Sequence, residues 1–270
     1  MREIEEKALK DIVQYSLKAV LDLLIPRKCI VCEKVLDGAE KHLCKDCIDD
    51  IPHTYYWLRK FNPMADKFNA LIQAKLEESI TSEGKTLARE EYAYATALYF
   101  YHADSDYSHI SRQLKYHGNI PVGEFFGRQL GLRLAKAEHL SNVDAVIPIP
   151  LHWTRKWSRG YNQAEIIARE VAIALGADLR VDILERCRRT RTQTKLSIEG
   201  KATNVKGAFR VKPHIAQSLC SDAAELKHLL IIDDVFTTGS TLMACYVALR
   251  QVFPSKVRIS VATLAFVGEG

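Results

Sequence analysis

An α/β protein built on a parallel sheet, joined to a small cysteine-built module, is what three features of this sequence predict. Apolar strands alternate with amphipathic helices through the second half of the chain. One strand runs into an acid pair and a small-residue turn at LLIIDDVFTTGSTL (229–242), and four cysteines stand as two C-x2-C pairs near the N-terminus. Strand, helix, strand with short connections is the pattern of a parallel sheet covered on both faces. The 270 residues, 47% of them hydrophobic, give room for one substantial core and a smaller module. The sequence divides into 1–55, an amphipathic helix with the cysteine module, a connector over 56–90, and the α/β domain over 91–270.

Residues 3–24 place Ile4, Leu9, Ile12, Val13, Leu17, Val20, Leu21 and Leu24 at near-helical spacing, and Pro26 stops the run. A helix packed on the body of the protein is expected; the alternatives are a partner-docking or a membrane-surface helix, and mixed charge on its polar face argues against anionic lipid. The stretch 52–90 has turn and aromatic residues without a clear period and reads as connecting segment. EYAYATALYFYH (91–102) predicts a strand or hairpin. Helices follow around His109 to Lys115 and Val122 to Lys136, with Gly118 between them. VDAVIPIP (143–150) is a strand. NQAEIIAREVAIALG (162–176) is a helix with Asn162 as N-cap, Glu165 at the capping-box position and Gly176 as C-cap. LLII, TLMACYVALRQVF and VRISVATLAFV complete the alternation as strand, helix and strand.

No apolar run approaches the ~20 residues of a membrane span, and the N-terminus MREIEEKALKD has no secretory character. A cytoplasmic protein without membrane insertion is expected. There, seven cysteines bind metal or remain thiols rather than pair as disulfides. Cys29, Cys32, Cys44 and Cys47 aim two pairs of thiolates at one point, a set that suits structural Zn²⁺ in a zinc-ribbon-like module; iron is the chemical alternative. The net charge of +5 is concentrated: 14 Lys/Arg stand against six Asp/Glu between Arg155 and Lys212. An anionic ligand, phosphate groups or nucleic acid, is expected there.

The acid pair at 233–234 sets the sharpest constraint. A turn after a parallel strand is where open α/β sheets bind ligands. Thr237, Thr238, Gly239, Ser240 and Thr241 supply backbone N–H groups and hydroxyls, and the following helix adds its positive end, so a monophosphate suits this turn. Two carboxylates beside a phosphate require a ligand that also offers hydroxyls, and a ribose 5-phosphate does.

The motif thus resembles the phosphoribosyl pyrophosphate (PRPP) signature of type I phosphoribosyltransferases, and it is neither a Walker A loop nor G-x-G-x-x-G. The resemblance implies a type I phosphoribosyltransferase-like fold for 91–270. It implies that Asp233 and Asp234, the candidate catalytic residues, hold the ribose hydroxyls directly or partly through Mg²⁺, and that Thr237 to Thr241 cradle the 5-phosphate. The carboxylates would also stabilise positive charge developing at C1. The loop after the first strand takes pyrophosphate in such proteins, which makes Arg155, Lys156, Arg159 and Gly160 candidates, with a solvated basic loop as the alternative. The basic segment 186–209, with Arg188, Arg189, Arg191 and Lys201, is read as a loop closing over PRPP or as a nucleic-acid backbone contact.

Taken together, LLIPRKC with the four cysteines, LKYHGN (114–119), VIPIPL, RGYNQAE, RRTRTQ (188–193), NVKGAF and the acid-pair motif are similar, in order, to the ComF family of competence-associated proteins. That resemblance implies handling of single-stranded DNA during natural transformation, beside a ComFA-type helicase. One departure stands out: Gly200 and Lys201 occupy places where the family often has an acid and an arginine, and lysine lacks the planar fork of arginine. The acceptor is not identified, and Lys115, Tyr116, His117 and Trp153 are candidate pocket residues. Three functions stay open: a PRPP-dependent transferase acting in DNA uptake, a non-catalytic PRPP or nucleotide sensor that grips single-stranded DNA, and a nucleotide-salvage phosphoribosyltransferase.

Overall fold

The structure is a computed structural model, and it describes residues 26–83, 90–116, 118–188, 207–215 and 226–268. The helix expected over 3–24 lies outside them, as do His117, Arg189, Arg191, Lys201 and Cys220. The chain forms two compact units, Met1–Ile51 and Pro52–Gly270.

In the first unit the only described helix is the short α1 (Lys45–Asp49), and Lys28 bridges Val35 in antiparallel fashion. Among its described residues the buried apolar side chains besides the cysteines are Val31, Leu36 and Leu43. Three residues cannot outweigh the entropy of ordering such a segment. The cysteines and hydrogen bonds between the two knuckles also order these described residues. Arg27 Nη1 donates to the Glu40 carbonyl at 2.6 Å, and the Glu40 carboxylate accepts the backbone N–H groups of Asp37 at 2.8 Å and Lys45 at 2.7 Å.

The second unit is a five-stranded sheet between helices. Its strands are β1 (Ala95–Phe100), β2 (Ala145–Pro148), β3 (Asp178–Leu179), β6 (His228–Phe236) and β7 (Arg258–Phe266), ordered β1-β7-β6-β2-β3 with every pairing parallel. The α/β class read from the sequence is therefore what the chain adopts. A separate antiparallel ribbon pairs β4 (Leu184–Arg186) with β5 (Phe209–Val211). On one sheet face, α2 (Pro63–Glu83) and α7 (Ser240–Arg250) bury Met64, Phe68 and Ile72 with Leu242, Cys245 and Leu249 against Ala95, Ala97, Leu229 and Ile231. Further helices among the described residues include α3 (Ser108–Tyr116), α4 (Ile120–Leu134), α5 (Trp153–Arg159) and α6 (Gln163–Leu175). Among the described residues no helix is long and apolar enough to cross a membrane.

Several elements differ from expectation for local reasons. The stretch read as connector contains α2. The Asn62 Oδ1 accepts the Ala65 N–H at 3.0 Å as an N-cap does, Pro63 opens the helix, and residues 64, 68 and 72 bury one stripe. The basic insertion read as a loop contains α5, too short for a periodic signal; the His152 Nδ1 accepts the Thr154 N–H at 3.3 Å, and Gly160 at φ +78° ends it. The strand read over LLII continues to Phe236, because Asp233, Val235 and Phe236 stay in register with Thr263, Ala265 and Phe266. Asn162 does precede α6, but its side chain makes no cap bond; Nδ2 donates to the Ile149 carbonyl at 2.9 Å instead.

Helices α4 and α6 approach closely because Gly123, Gly127 and Gly131 recur every fourth residue on α4. A β-carbon at Gly131 would stand 2.7 Å from Ala174 Cβ and 3.0 Å from Val171 Cα. Gly131→Val should thus force the helices apart and destabilise the chain by about 1–3 kcal/mol. Gly38→Ala, where nothing lies within 4 Å, should change little. Urea midpoints of the two variants check this.

Candidate functional site

The order of the strands locates the site. From β2 the chain winds through α6 to β3 on one side, and from β6 it winds through α7 to β7 on the other. The direction of winding reverses between β2 and β6, and a crevice opens at such a point beyond the carboxyl ends of the strands. Two connections flank it: residues 149–162, which carry α5, and the turn 237–239.

Asp233 and Asp234 are the acids at the end of β6. Neighbouring strand positions point to opposite faces. Asp233 lies on the α7 side, where its charge helps to raise the thiol of the buried Cys245; burial is the larger cause. Asp234 lies on the other side, where its Oδ2 is 2.7 Å from Lys115 Nζ, at the end of α3. The Asp234 N–H also donates to Asp233 Oδ1 at 2.8 Å. Burial, then the charge of Asp234, raises the Asp233 carboxyl to about 8. Burial pulls Lys115 down, but the attraction of Asp234 and Asp233 outweighs it and holds the ammonium above its ordinary value; Arg159 is near enough to oppose them.

The residues of RGYNQ hold this arrangement. The Tyr161 hydroxyl donates to the Leu114 carbonyl, one residue from Lys115, and Asn162 grips the end of β2. Gln163 is 4% exposed, and its amide nitrogen has no hydrogen-bond partner among the described residues. Buried donors of this kind are rare and call for an explanation.

The turn is built as a cradle. Gly239 takes φ +78° at the N-cap of α7, and a β-carbon there would stand 2.7 Å from Leu71 Cδ1 and 2.8 Å from Phe236 Cζ, so only glycine fits. Gly239 offers no capping side chain; the Thr238 Oγ1 accepts the Ser240 N–H at 3.4 Å, and the Thr238 and Ser240 hydroxyls share a bond of 2.8 Å. Thr237 is exposed, while Ser240 and Thr241 are half-buried. Lys67, which sequence reasoning missed, donates to the Thr237 carbonyl at 3.0 Å and lies 5.6 Å from the centre of the Phe236 ring. Only the packing of α2 brings it there, 170 residues away in sequence.

Of the other expected residues, Arg155, Lys156 and Arg159 lie on α5 and Gly160 ends it. Tyr116 closes α3, and Trp153 is exposed at the start of α5. Arg188 is exposed beyond β4. The Cys187 N–H donates to the Ala208 carbonyl at 2.9 Å, so the ribbon brings together both ends of the basic segment.

In the other unit, the sulfurs of Cys29, Cys32, Cys44 and Cys47 all lie within 4.8 Å of one another, with Cys32 and Cys44 at 3.6 Å. A tetrahedral zinc with Zn–S of about 2.3 Å separates its sulfurs by roughly 3.8 Å, so the set fits a metal such as zinc. Burial raises the Cys29 thiol, but the backbone N–H groups of Cys32, Cys44 and Val31 outweigh it and bring it to about 7, within reach of the thiolate that a metal needs.

Comparison with known proteins agrees with the motif reading. Competence protein F of Haemophilus influenzae is 26% identical over 235 residues, covering 86% of this chain and 94% of that protein. The chain is homologous to competence protein F. This bears out the resemblance to the ComF family. DNA utilization protein YhgH of Salmonella typhi is 32% identical over 145 residues, and that of Shigella flexneri 30% over 138. These matches span 60% and 57% of the two relatives and about half of this chain. No protein-family model matches the chain.

The acid pair carries a pH signature. The folded pKa of Asp233 lies above the ordinary carboxylate value of about 4. Its stability contribution is therefore complete below about pH 4 and is lost as pH rises through about 8. Urea unfolding of the ligand-free wild type should show a fall in stability from about pH 5 to 8, and Asp233→Asn should lack that component. Parallel profiles would refute the assignment.

Proposed function

We propose that the chain is a phosphoribosyltransferase-like protein acting in DNA uptake. It holds PRPP or a ribose 5-phosphate nucleotide, with Mg²⁺, at the end of β6. The observation that carries this reading is an acid pair and a helix start with glycine at its N-cap, side by side at the crevice between β2 and β6. The helix start suits a 5-phosphate, through its dipole and the backbone N–H groups of 237–241. The acids suit the ribose hydroxyls and a divalent cation. Arg159, close to Lys115, suits the pyrophosphate of PRPP, while Lys115 neutralises Asp234 until the ligand arrives. DNA uptake is proposed from the names of the relatives, competence protein F and DNA utilization protein. Single-stranded DNA and a ComFA-type helicase are the partners that this role requires.

Calorimetry with PRPP and Mg²⁺ tests the site. The wild type should bind, and Asp233→Asn combined with Asp234→Asn should weaken binding by roughly tenfold or more, since each lost bond to a charged acceptor costs about 1.5–3 kcal/mol. Unchanged affinity in the double variant would overturn the reading. Release of pyrophosphate with a panel of bases identifies a transferase, and binding without release identifies a sensor.

The metal of the four-cysteine site is proposed to be structural zinc. Elemental analysis of the purified chain should find about one zinc per molecule, and Cys44→Ser should lose it, because a three-thiolate set no longer closes the tetrahedron. Iron in its place, or full zinc in the variant, would contradict this assignment.

A further inference from the structure

Two of the three tryptophans are out in solvent on one short helix. Trp153 is 71% exposed and Trp157 is 89% exposed, whereas Trp57 is buried at 6%. Both exposed rings belong to α5, WTRKWSR, at positions i and i+4, which share one helix face. Large aromatic side chains held in water mark a binding surface when they occur together. The helix that presents them is fixed at both ends. At its start, the buried His152 accepts from Thr154 and stands against Trp153 with ring centres 5.7 Å apart. At its end, Gly160 turns the chain with a positive φ, and Tyr161 and Asn162 are tied to α3 and β2.

From these observations we infer that Trp153 and Trp157 form a stacking platform for the bases of single-stranded nucleic acid. The inference rests on the DNA-handling reading above and assigns that contact to particular side chains. Three points select this partner. The seven residues of α5 include Arg155, Lys156 and Arg159 and no acid, so the helix complements a polyanion. Exposed aromatic rings interleaved with cations are how proteins hold single strands without reading sequence, since every base has a face to stack. The C-terminal end of α5 lies beside the acid-pair crevice, because Tyr161, two residues beyond Arg159, is bonded to Leu114, the neighbour of the Lys115 that pairs with Asp234. A strand lying on the platform therefore runs toward a site suited to a phosphorylated ribose. Duplex DNA does not fit, because its base faces are already stacked on one another.

The test separates stacking from backbone attraction. The full-length chain is titrated with an oligothymidylate of roughly 12 nucleotides, inside the usual range of site sizes, and with an abasic strand of equal length that keeps every phosphate. Anisotropy of a dye on each strand reports binding and stays readable in the tryptophan variants, and tryptophan fluorescence of the wild type reports vesicle binding. The wild type should bind the thymidylate more tightly than the abasic strand. Trp153→Ala with Trp157→Ala should lose about tenfold or more on the thymidylate and nothing on the abasic strand. Trp153→Phe with Trp157→Phe should retain most of the affinity, which guards against a folding defect. Equal affinity of the wild type for both strands, or of the alanine pair and the wild type for the thymidylate, overturns the platform. So does fluorescence that responds to phosphatidylglycerol vesicles and not to the oligonucleotide. Ribose 5-phosphate binding is measured on the same proteins. If the alanine pair keeps it and keeps its DNA affinity, only the platform fails; if the wild type lacks it, the acid-pair reading fails and the comparison of strands still decides the platform.

Discussion

The ion pair between Lys115 and Asp234 is the contact on which the candidate site depends. Two carboxylates at the end of a central strand repel each other and resist burial, and burial together with Asp234 drives Asp233 well above the carboxylate range. The Lys115 ammonium stands 2.7 Å from Asp234 and offsets the negative charge gathered there. Removing one partner of such a partly buried pair costs up to a few kcal/mol, a large share of the roughly 5–15 kcal/mol that holds a domain together. The surrounding structure serves this contact. Tyr161 fixes the end of α3 that carries Lys115, Asn162 fixes the end of β2 beside it, and the close packing of α4 on α6 through glycine holds α6, which begins at Gln163.

Strand geometry divides the labour of the two acids. Because they are adjacent in β6 they face opposite sides of the sheet, Asp233 toward α7 and Asp234 toward α3. Only their backbone and the open end of the strand are common to both. A ligand that uses both must therefore approach along the strand axis from the crevice, over the turn that Gly239 and Lys67 shape. In the proposed reading, that direction of entry sets the phosphate against the start of α7 and the remaining part of the ligand toward α5. The same crevice thus joins the proposed ribose site to the exposed tryptophans.

Much of this was legible in the sequence, and the remainder was hidden for definite reasons. The acid pair, the turn and the four cysteines are local patterns that the sequence shows directly, and the structure brings the four sulfurs within 4.8 Å of one another. The parallel sheet followed from alternating strands and helices. Lys67 was not legible because its contact with Thr237 spans 170 residues and depends on α2, a helix whose aromatic-rich approach masks its start. Helix α5 gives no periodic signal, because its seven residues hold too few turns for one. Asn162 was read as a cap from its type and place, yet the carbonyl of Ile149 competes for its side chain and wins. The strand end was read short because charged residues at 233 and 234 break the apolar run, while the backbone ladder to β7 continues past them.

The central claim is that the acid pair recognises a sugar diol next to a phosphate. Calorimetry comparing ribose 5-phosphate with 2-deoxyribose 5-phosphate, each with Mg²⁺, tests it most directly, because the two differ only in the hydroxyl that the carboxylates would accept from. The account predicts that the deoxy sugar binds roughly ten- to a hundredfold more weakly, as expected for the loss of a hydrogen bond to a charged group. Equal affinity for the two sugars would contradict it.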